Sequence, residues 1–218
     1  CFVSDGKRLK QNEIPISKFS PIKIFQIGDL VKIDFDSVLI YITKIFDSKI
    51  YGKVLEGGLI RSNKGIAVDS EIKLPCFTKK DIQILKLSNK LKIETIFLSF
   101  CSQSNDIVQL RKYFDYPVKV IAKIESKEGL INLIDISNEA DGILIDRGDL
   151  SRDIPLEKIP FAQEKILSEM KFTDTPVFVA TNLMENMIVN SKPTRAEISD
   201  IVTSIKNLLL PVIIALLP

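Results

Sequence analysis

Between Gly28 and Leu74 the apolar residues fall in short, β-branched runs: VKIDF, VLIYITKIF and KIYGKVL, separated by polar or Asp-Ser breaks, with Gly57-Gly58 marking a turn. No helical period appears there, which predicts a small β-rich domain. Residues 1 to 27 show no clear period and are left unassigned. After Leu74 the texture changes. Pro75 precedes Thr78-Lys79-Lys80-Asp81, an N-cap with an acid three residues on, and IQILKLSNKL follows at helical spacing. Thr95 to Phe100 predicts a strand, and Ser104 or Asn105 caps the helix DIVQLRKYF. Val118 to Ile124 predicts a strand, Lys127 to Ile136 a helix and Gly142 to Ile145 a strand. Pro155 opens a helix through FAQEKILSEM, and Val177 to Ala180 is a strand. Thr194-Arg195-Ala196-Glu197 is a capping box for a helix through Ile205, and the apolar tail supplies a last strand. Alternating strands and helices mean parallel βαβ units. The class is α/β: a (β/α) barrel that is incomplete, or an open sheet.

The rest of the chain is organised around VKVIAKIESKEGLINLIDISNEADGILIDRGDL, Val118 to Leu150. Lys123 and Glu125 lie two apart at a strand end and share one face. Arg147-Gly148-Asp149 follows the next strand, and Thr181 follows VFVA. In a (β/α) barrel the C-terminal strand ends converge on the face where chemistry is done. A lysine beside two carboxylates suits a divalent cation holding an anionic, phosphorylated substrate. Taken singly, each feature has a plainer reading. Lys123 and Glu125 also fit a structural ion pair, Arg147-Gly148-Asp149 a turn, and Thr181 simple strand propensity. Asn63-Lys64-Gly65 reads as a turn, and Met184 and Met187 as packing.

Composition narrows the chemistry. The 218 residues include no histidine, which excludes His-based triads, bases and metal ligands. Any metal must be held by oxygen, which suits Mg²⁺. The net charge of +2 gives no field that recruits nucleic acid or membrane. Cys1, Cys76 and Cys101 form no paired framework and suit a reducing compartment. Residues 1 to 20 are polar and mixed, unlike a signal peptide. Because the chain begins at Cys1, it is expected to be cut from a longer one. The tail Leu208 to Leu217 is too short to span a bilayer.

Five stretches, taken together, resemble the pyruvate kinase family over roughly residues 28 to 205: SNKGIAV, LPCFTKKD, FLSFCSQSNDIVQLRKYF, KIESKEGLINLIDISNEADGILIDRGDL and VFVATNLMENMIVNSKPTRAEISDI. The KIE…EG, RGDL and PTRAE…SD motifs are specific as a set. The resemblance implies a TIM-type (β/α) barrel with a small inserted β-barrel lid. Residues 28–74 would be the lid, closing over the site, and residues 75–218 a barrel segment. It also implies phosphoryl transfer from phosphoenolpyruvate to ADP, giving pyruvate and ATP, with Mg²⁺ or Mn²⁺ and usually K⁺. Glu125 and Asp149 would ligate the divalent cation, and Lys123 would stabilise the phosphoryl group in flight. The amides around Arg147, Gly148 and Asp149 would hold the substrate carboxylate. Thr181 would stand near the methylene carbon that takes up the proton. A homo-oligomer, commonly a tetramer, and a cytoplasmic or organelle-stroma location follow from the same resemblance, with no nucleic-acid or membrane partner.

The departures are equally specific. Nothing in residues 1 to 27 matches the family's first barrel strands, which supply phosphate and K⁺ contacts. The lid motif Ile-Asp-Asp-Gly is replaced by Ile33-Asp34-Phe35-Asp36-Ser37. Asp146 stands where the family has a small residue, and its charge beside the metal ligands would re-tune metal binding. LLLPVIIALLP replaces the Ser-Gly-Glu-Thr loop, and the regulatory C-terminal domain is missing. Two alternatives therefore stay beside the kinase: a fragment or non-catalytic homologue, and another Mg²⁺-dependent enolate enzyme such as a 2-oxo acid lyase or aldolase.

Overall fold

The computed structural model describes residues 2–4, 13–16, 25–34, 38–46, 49–61, 64–70, 75–181, 183–206 and 212–215. The chain divides into two compact units, Cys1–Leu74 and Pro75–Pro218.

The first unit is a six-stranded sheet in the order β2-β1-β5-β4-β3-β6. Its strands are β1 (Phe2–Ser4), β2 (Ile14–Ile16), β3 (Leu30–Ile33), β4 (Val38–Phe46), β5 (Lys49–Glu56) and β6 (Ile66–Val68). Period-two alternation explains it. Val38, Ile40 and Ile42 of β4 point into a core with Val31, Ile33 and Ile50, while Tyr41 between them faces solvent. Phe2 stacks on Phe25 with ring centroids 5.5 Å apart, which ties β1 to this core. Residues 1 to 27 thus contain two strands that periodicity did not reveal, because three residues are too few to establish a period. Asp34 adopts left-handed φ of 54° and pairs with Lys64 at 3.0 Å. The expected turn at Asn63 and the substituted lid positions Phe35, Asp36 and Ser37 lie outside the described residues.

The second unit is a five-stranded sheet in the order β11-β10-β9-β8-β7, every neighbouring pair parallel. The strands are β7 (Thr95–Leu98), β8 (Lys119–Ile124), β9 (Gly142–Asp146), β10 (Val177–Ala180) and β11 (Val212–Ala215). Its helices are α1 (Lys79–Lys90), α2 (Ser104–Arg111), α3 (Lys127–Ile131), α4 (Leu133–Glu139), α5 (Arg147–Leu150), α6 (Ile159–Met170) and α7 (Arg195–Lys206). Spatial order equals chain order. A doubly wound sheet would reverse direction at a switch point; this one does not, which makes it an incomplete (β/α) barrel. All five residues of β9 are buried, as expected of a central parallel strand covered on both faces. The core joins Val120, Ala122 and Ile124 to Ile143, Ile145 and Val179, and to Ile107, Leu110, Ile136, Ile166 and Leu167 from the helices. No helix among the described residues is long and apolar enough to cross a membrane.

Local chemistry sets the helix boundaries. The Thr78 hydroxyl caps Asp81 N, and Asp81 Oδ2 accepts from Thr78 N at 2.8 Å, a full capping box. Asp106, rather than Ser104 or Asn105, organises the start of α2: its Oδ2 accepts from the amides of Ser102 and Gln103. The single helix expected from Lys127 to Ile136 is divided at Asn132, whose side chain donates to the Ser102 carbonyl at 2.8 Å. Asn132 itself leaves helical geometry, with φ −93° and ψ 16°. Arg147-Gly148-Asp149 is the first turn of α5 rather than an isolated turn.

Candidate active site

The C-terminal ends of β8, β9 and β10 gather Lys123, Glu125, Asp146, Arg147, Gly148, Asp149 and Thr181. Lys123 lies within β8 and Glu125 one residue beyond it. The Lys123 ammonium is 2.5 Å from Glu125 Oε1 and 2.9 Å from Asp146 Oδ2. One carboxylate oxygen from each of Glu125, Asp146 and Asp149 lies within 4.8 Å of the others. Asp149 is turned partly outward by Arg152, 2.8 Å away. Lys123, Glu125, Arg147, Gly148, Asp149 and Thr181 are therefore at one rim.

This cluster is expensive to fold. Glu125 is 1% exposed. Burial pushes its carboxyl up to about 7, although Lys123 and the Phe100 amide favour the charged form. Its Oε1 is buried without an aligned hydrogen bond; the Lys123 ammonium touches it as a charge. Asp146 is also penalised by burial, but pairing with Lys123 outweighs that and holds it below the usual carboxylate range. Burial likewise opposes the Lys123 charge, yet its two carboxylate partners raise its pKa. The set is a fixed cation among carboxylates in a water-poor pocket. Three convergent carboxylate oxygens, from Glu125, Asp146 and Asp149, fit a hard divalent cation held by oxygen.

The Arg147 side chain braces the rim. Its guanidinium is turned away from the carboxylates and holds the Thr181 carbonyl, with Nε at 3.2 Å. It also donates to Asp200 Oδ2 at 2.5 Å and to Gln163 Oε1 at 3.3 Å. It thereby bolts the end of β9 to the end of β10 and to α6 and α7. Thr181 is held in left-handed backbone geometry, φ 66°, an unusual state for a β-branched residue. Its hydroxyl accepts from Gly148 N at 3.0 Å and donates to the Ala180 carbonyl at 2.6 Å. Asp149 N donates to Asp146 Oδ1 at 3.4 Å. Two of the amides assigned to a substrate carboxylate thus already have partners within the site.

Sequence reasoning missed the Phe100 amide, which donates to Glu125 Oε2 at 2.5 Å from a left-handed residue with φ 52°. Backbone groups leave no residue-type signal, so only the fold reveals this donor. Gly129 supports the same loop: a Cβ there would stand 2.6 Å from the Cys101 carbonyl oxygen. Met187, read as packing, is 42% exposed in a 3₁₀ turn over Glu185–Ile188. Burial pushes the Cys101 thiol up to about 12, which disfavours its thiolate at neutral pH.

Comparison with known proteins agrees with this geometry. The family description "Pyruvate kinase, barrel domain" matches residues 4–207. Pyruvate kinase of Clostridium perfringens is 32% identical over 183 residues, covering 82% of this chain and 39% of the relative. That of Corynebacterium glutamicum is 34% identical over 182 residues, covering 82% and 38%. That of Thermotoga maritima is 31% identical over 211 residues, covering 94% and 45%. The chain spans less than half the length of these relatives.

Proposed function

The chain belongs to the pyruvate kinase family, and from that premise we propose that it carries the cation and enolpyruvate half of a phosphotransferase site. The reaction is phosphoryl transfer from phosphoenolpyruvate to ADP, giving pyruvate and ATP, in a cytoplasmic or stromal setting. The observation that carries this reading is Glu125: a buried carboxylate paired with a fixed ammonium and convergent with two further carboxylates.

Glu125 and Asp149 would hold Mg²⁺ or Mn²⁺, which would supply Lewis-acid polarisation of substrate oxygens. Lys123 presents a positive charge to the phosphoryl group as it moves; in a site of low dielectric that charge acts strongly and needs no reorganisation. Backbone donors of α5 orient the substrate carboxylate, which must compete with Thr181 Oγ1 for Gly148 N and with Asp146 Oδ1 for Asp149 N. The Thr181 hydroxyl, fixed at both its donor and its acceptor side, stands at the end of β10 to guide the proton that reaches the methylene carbon. K⁺ and the nucleotide are assigned to no described residue, and oligomerisation belongs to the proposal as a family trait.

A second reading is favoured by Asp146. Its carboxylate engages Lys123 and the Asp149 amide, the two groups needed by the phosphoryl and carboxylate groups of the substrate. On that reading the chain is a non-catalytic relative that retains a cation site.

Pyruvate release from phosphoenolpyruvate with ADP, Mg²⁺ and K⁺ separates them, with Glu125→Gln as control. ADP-dependent turnover lost in the variant supports the phosphotransferase. Mg²⁺-dependent oxalate binding without turnover supports the non-catalytic relative. ADP-independent turnover points to a lyase-type enolate enzyme, and neither turnover nor binding overturns every enzymatic reading.

A further inference from the structure

Asp146 ends β9 with its side chain directed at the same ammonium as Glu125, and it is 7% exposed. A buried carboxylate at that point changes the charge balance of the site. The ionised side chains of Lys123, Glu125, Asp146 and Asp149 sum to one positive and three negative charges, a net of −2. With Asp146 neutral or absent, the same group sums to −1.

We infer that Asp146 is a third protein ligand of the divalent-cation site. The inference rests on the assignment of Glu125 and Asp149 as cation ligands. Three carboxylate oxygens, one each from Glu125, Asp146 and Asp149, already lie within 4.8 Å of one another. Glu125 Oε1 is buried with no aligned hydrogen bond, and its close neighbour is the Lys123 ammonium, a positive charge shared with Asp146. Asp146 Oδ1 accepts from Asp149 N at 3.4 Å, which fixes the orientation of the carboxylate.

The physical consequence is one of neutralisation. Magnesium sites with one or two carboxylates rely on substrate phosphates for their remaining charge. A site of net −2 matches a divalent cation by itself, and in a poorly solvated pocket that match weighs heavily. The substrate anion is then attracted less, because the cation it meets is already balanced.

The test is Mn²⁺ binding in the absence of any substrate, followed by electron paramagnetic resonance. Water bound to the ion is counted by proton relaxation, and folding is checked by circular dichroism. Wild type, Asp146→Asn, Asp146→Glu and Glu125→Gln are compared. Loss of Asp146 as a ligand is expected to weaken Mn²⁺ about 10–100-fold and to add a water to the bound ion, while Asp146→Glu restores much of the affinity. Unchanged affinity in Asp146→Asn, together with loss in Glu125→Gln, overturns the role of Asp146 and leaves the Glu125 assignment standing. Weaker binding with no added water also overturns it, reducing Asp146 to a neighbouring charge. No Mn²⁺ binding by wild type, or unchanged binding in Glu125→Gln, overturns both assignments together.

Discussion

At the N-terminal ends of β7 to β9 the charged side chains are solvated. Lys92 pairs with Asp115, the two side chains 63% and 66% exposed, and Arg111 pairs with Asp141 at 36% and 39%. At the C-terminal ends of the same parallel strands the same residue types are buried. The Lys123 side chain is 19% exposed, that of Glu125 0% and that of Asp146 10%. Solvated pairs contribute little to stability and cost little. A buried cluster with one ammonium among three carboxylates costs folding free energy, which packed apolar residues at the same positions would not. Nothing in the sheet architecture requires that expense at one rim and spares the other. The asymmetry therefore marks the C-terminal rim as the candidate functional site.

Substitutions at four positions break or sharpen this contrast. The largest effect is expected at Arg147. Arg147→Ala leaves Asp200, Gln163 and the Thr181 carbonyl without their donor and should cost about 2–3 kcal/mol in chemical denaturation, a figure discounted because Asp200 is partly exposed. Arg147→Lys should recover little, since an ammonium cannot serve three acceptors in a planar fork. Gly129→Ala forces a methyl against the Cys101 carbonyl and should cost about 1–3 kcal/mol. That strain reaches the Phe100–Cys101 loop, so oxalate binding should weaken with stability.

The other rim should respond less. Asp141 Oδ2 accepts from Val120 N at 2.8 Å and from Arg111 at 2.7 Å, and Asp141→Asn should lower stability by about 0.5–1 kcal/mol with site functions unchanged. A loss as large as that of Arg147→Ala would erase the contrast between the rims. Lys92→Ala should lower the denaturation midpoint only marginally at neutral pH. Its signature lies in titration: the Lys92 hydrogen bond holds Asp115 below 3.8 in the folded chain. A depressed carboxylate contributes stability that is present above its unfolded pKa and lost as pH falls through the lowered folded value. Carboxyl NMR of the variant should therefore show Asp115 returning towards 3.8, with wild type and variant converging in acid. An Asp115 titration that does not move would mean that the pair is not formed in solution.

Much of the second unit was legible because its local signals agree with its tertiary demands. Val118 to Ile124 and Val177 to Ala180 are β-branched runs with polar ends, and they are β8 and β10 almost residue for residue. The Thr78 and Thr194 boxes start α1 and α7 because a hydroxyl and an acid three residues apart satisfy each other's orphan amides. Where a long-range partner intervened, the reading went astray. The break at Asn132 depends on the Ser102 carbonyl, thirty residues away in the chain. The strands Phe2–Ser4 and Ile14–Ile16 exist because a neighbouring strand was there to pair with, not because three residues favour extension.

The candidate site divides in the same way. The sequence by itself determined which chemistry is possible: no imidazole, oxygen ligands for any metal, and Lys123, Glu125, Asp149 and Thr181 at strand ends, since spacing along β-strands fixes which residues reach one rim. Tertiary structure alone decided how those groups share their charges. It gave Arg147 a bracing role, brought the Phe100 amide to Glu125, and set Asp146 against Lys123. The reason is range. Periodicity and capping act over a few residues and are written in residue types. Burial, desolvation and the choice of partner for each charge arise only when separate strands come within a few ångströms, and backbone donors carry no sequence signature at all.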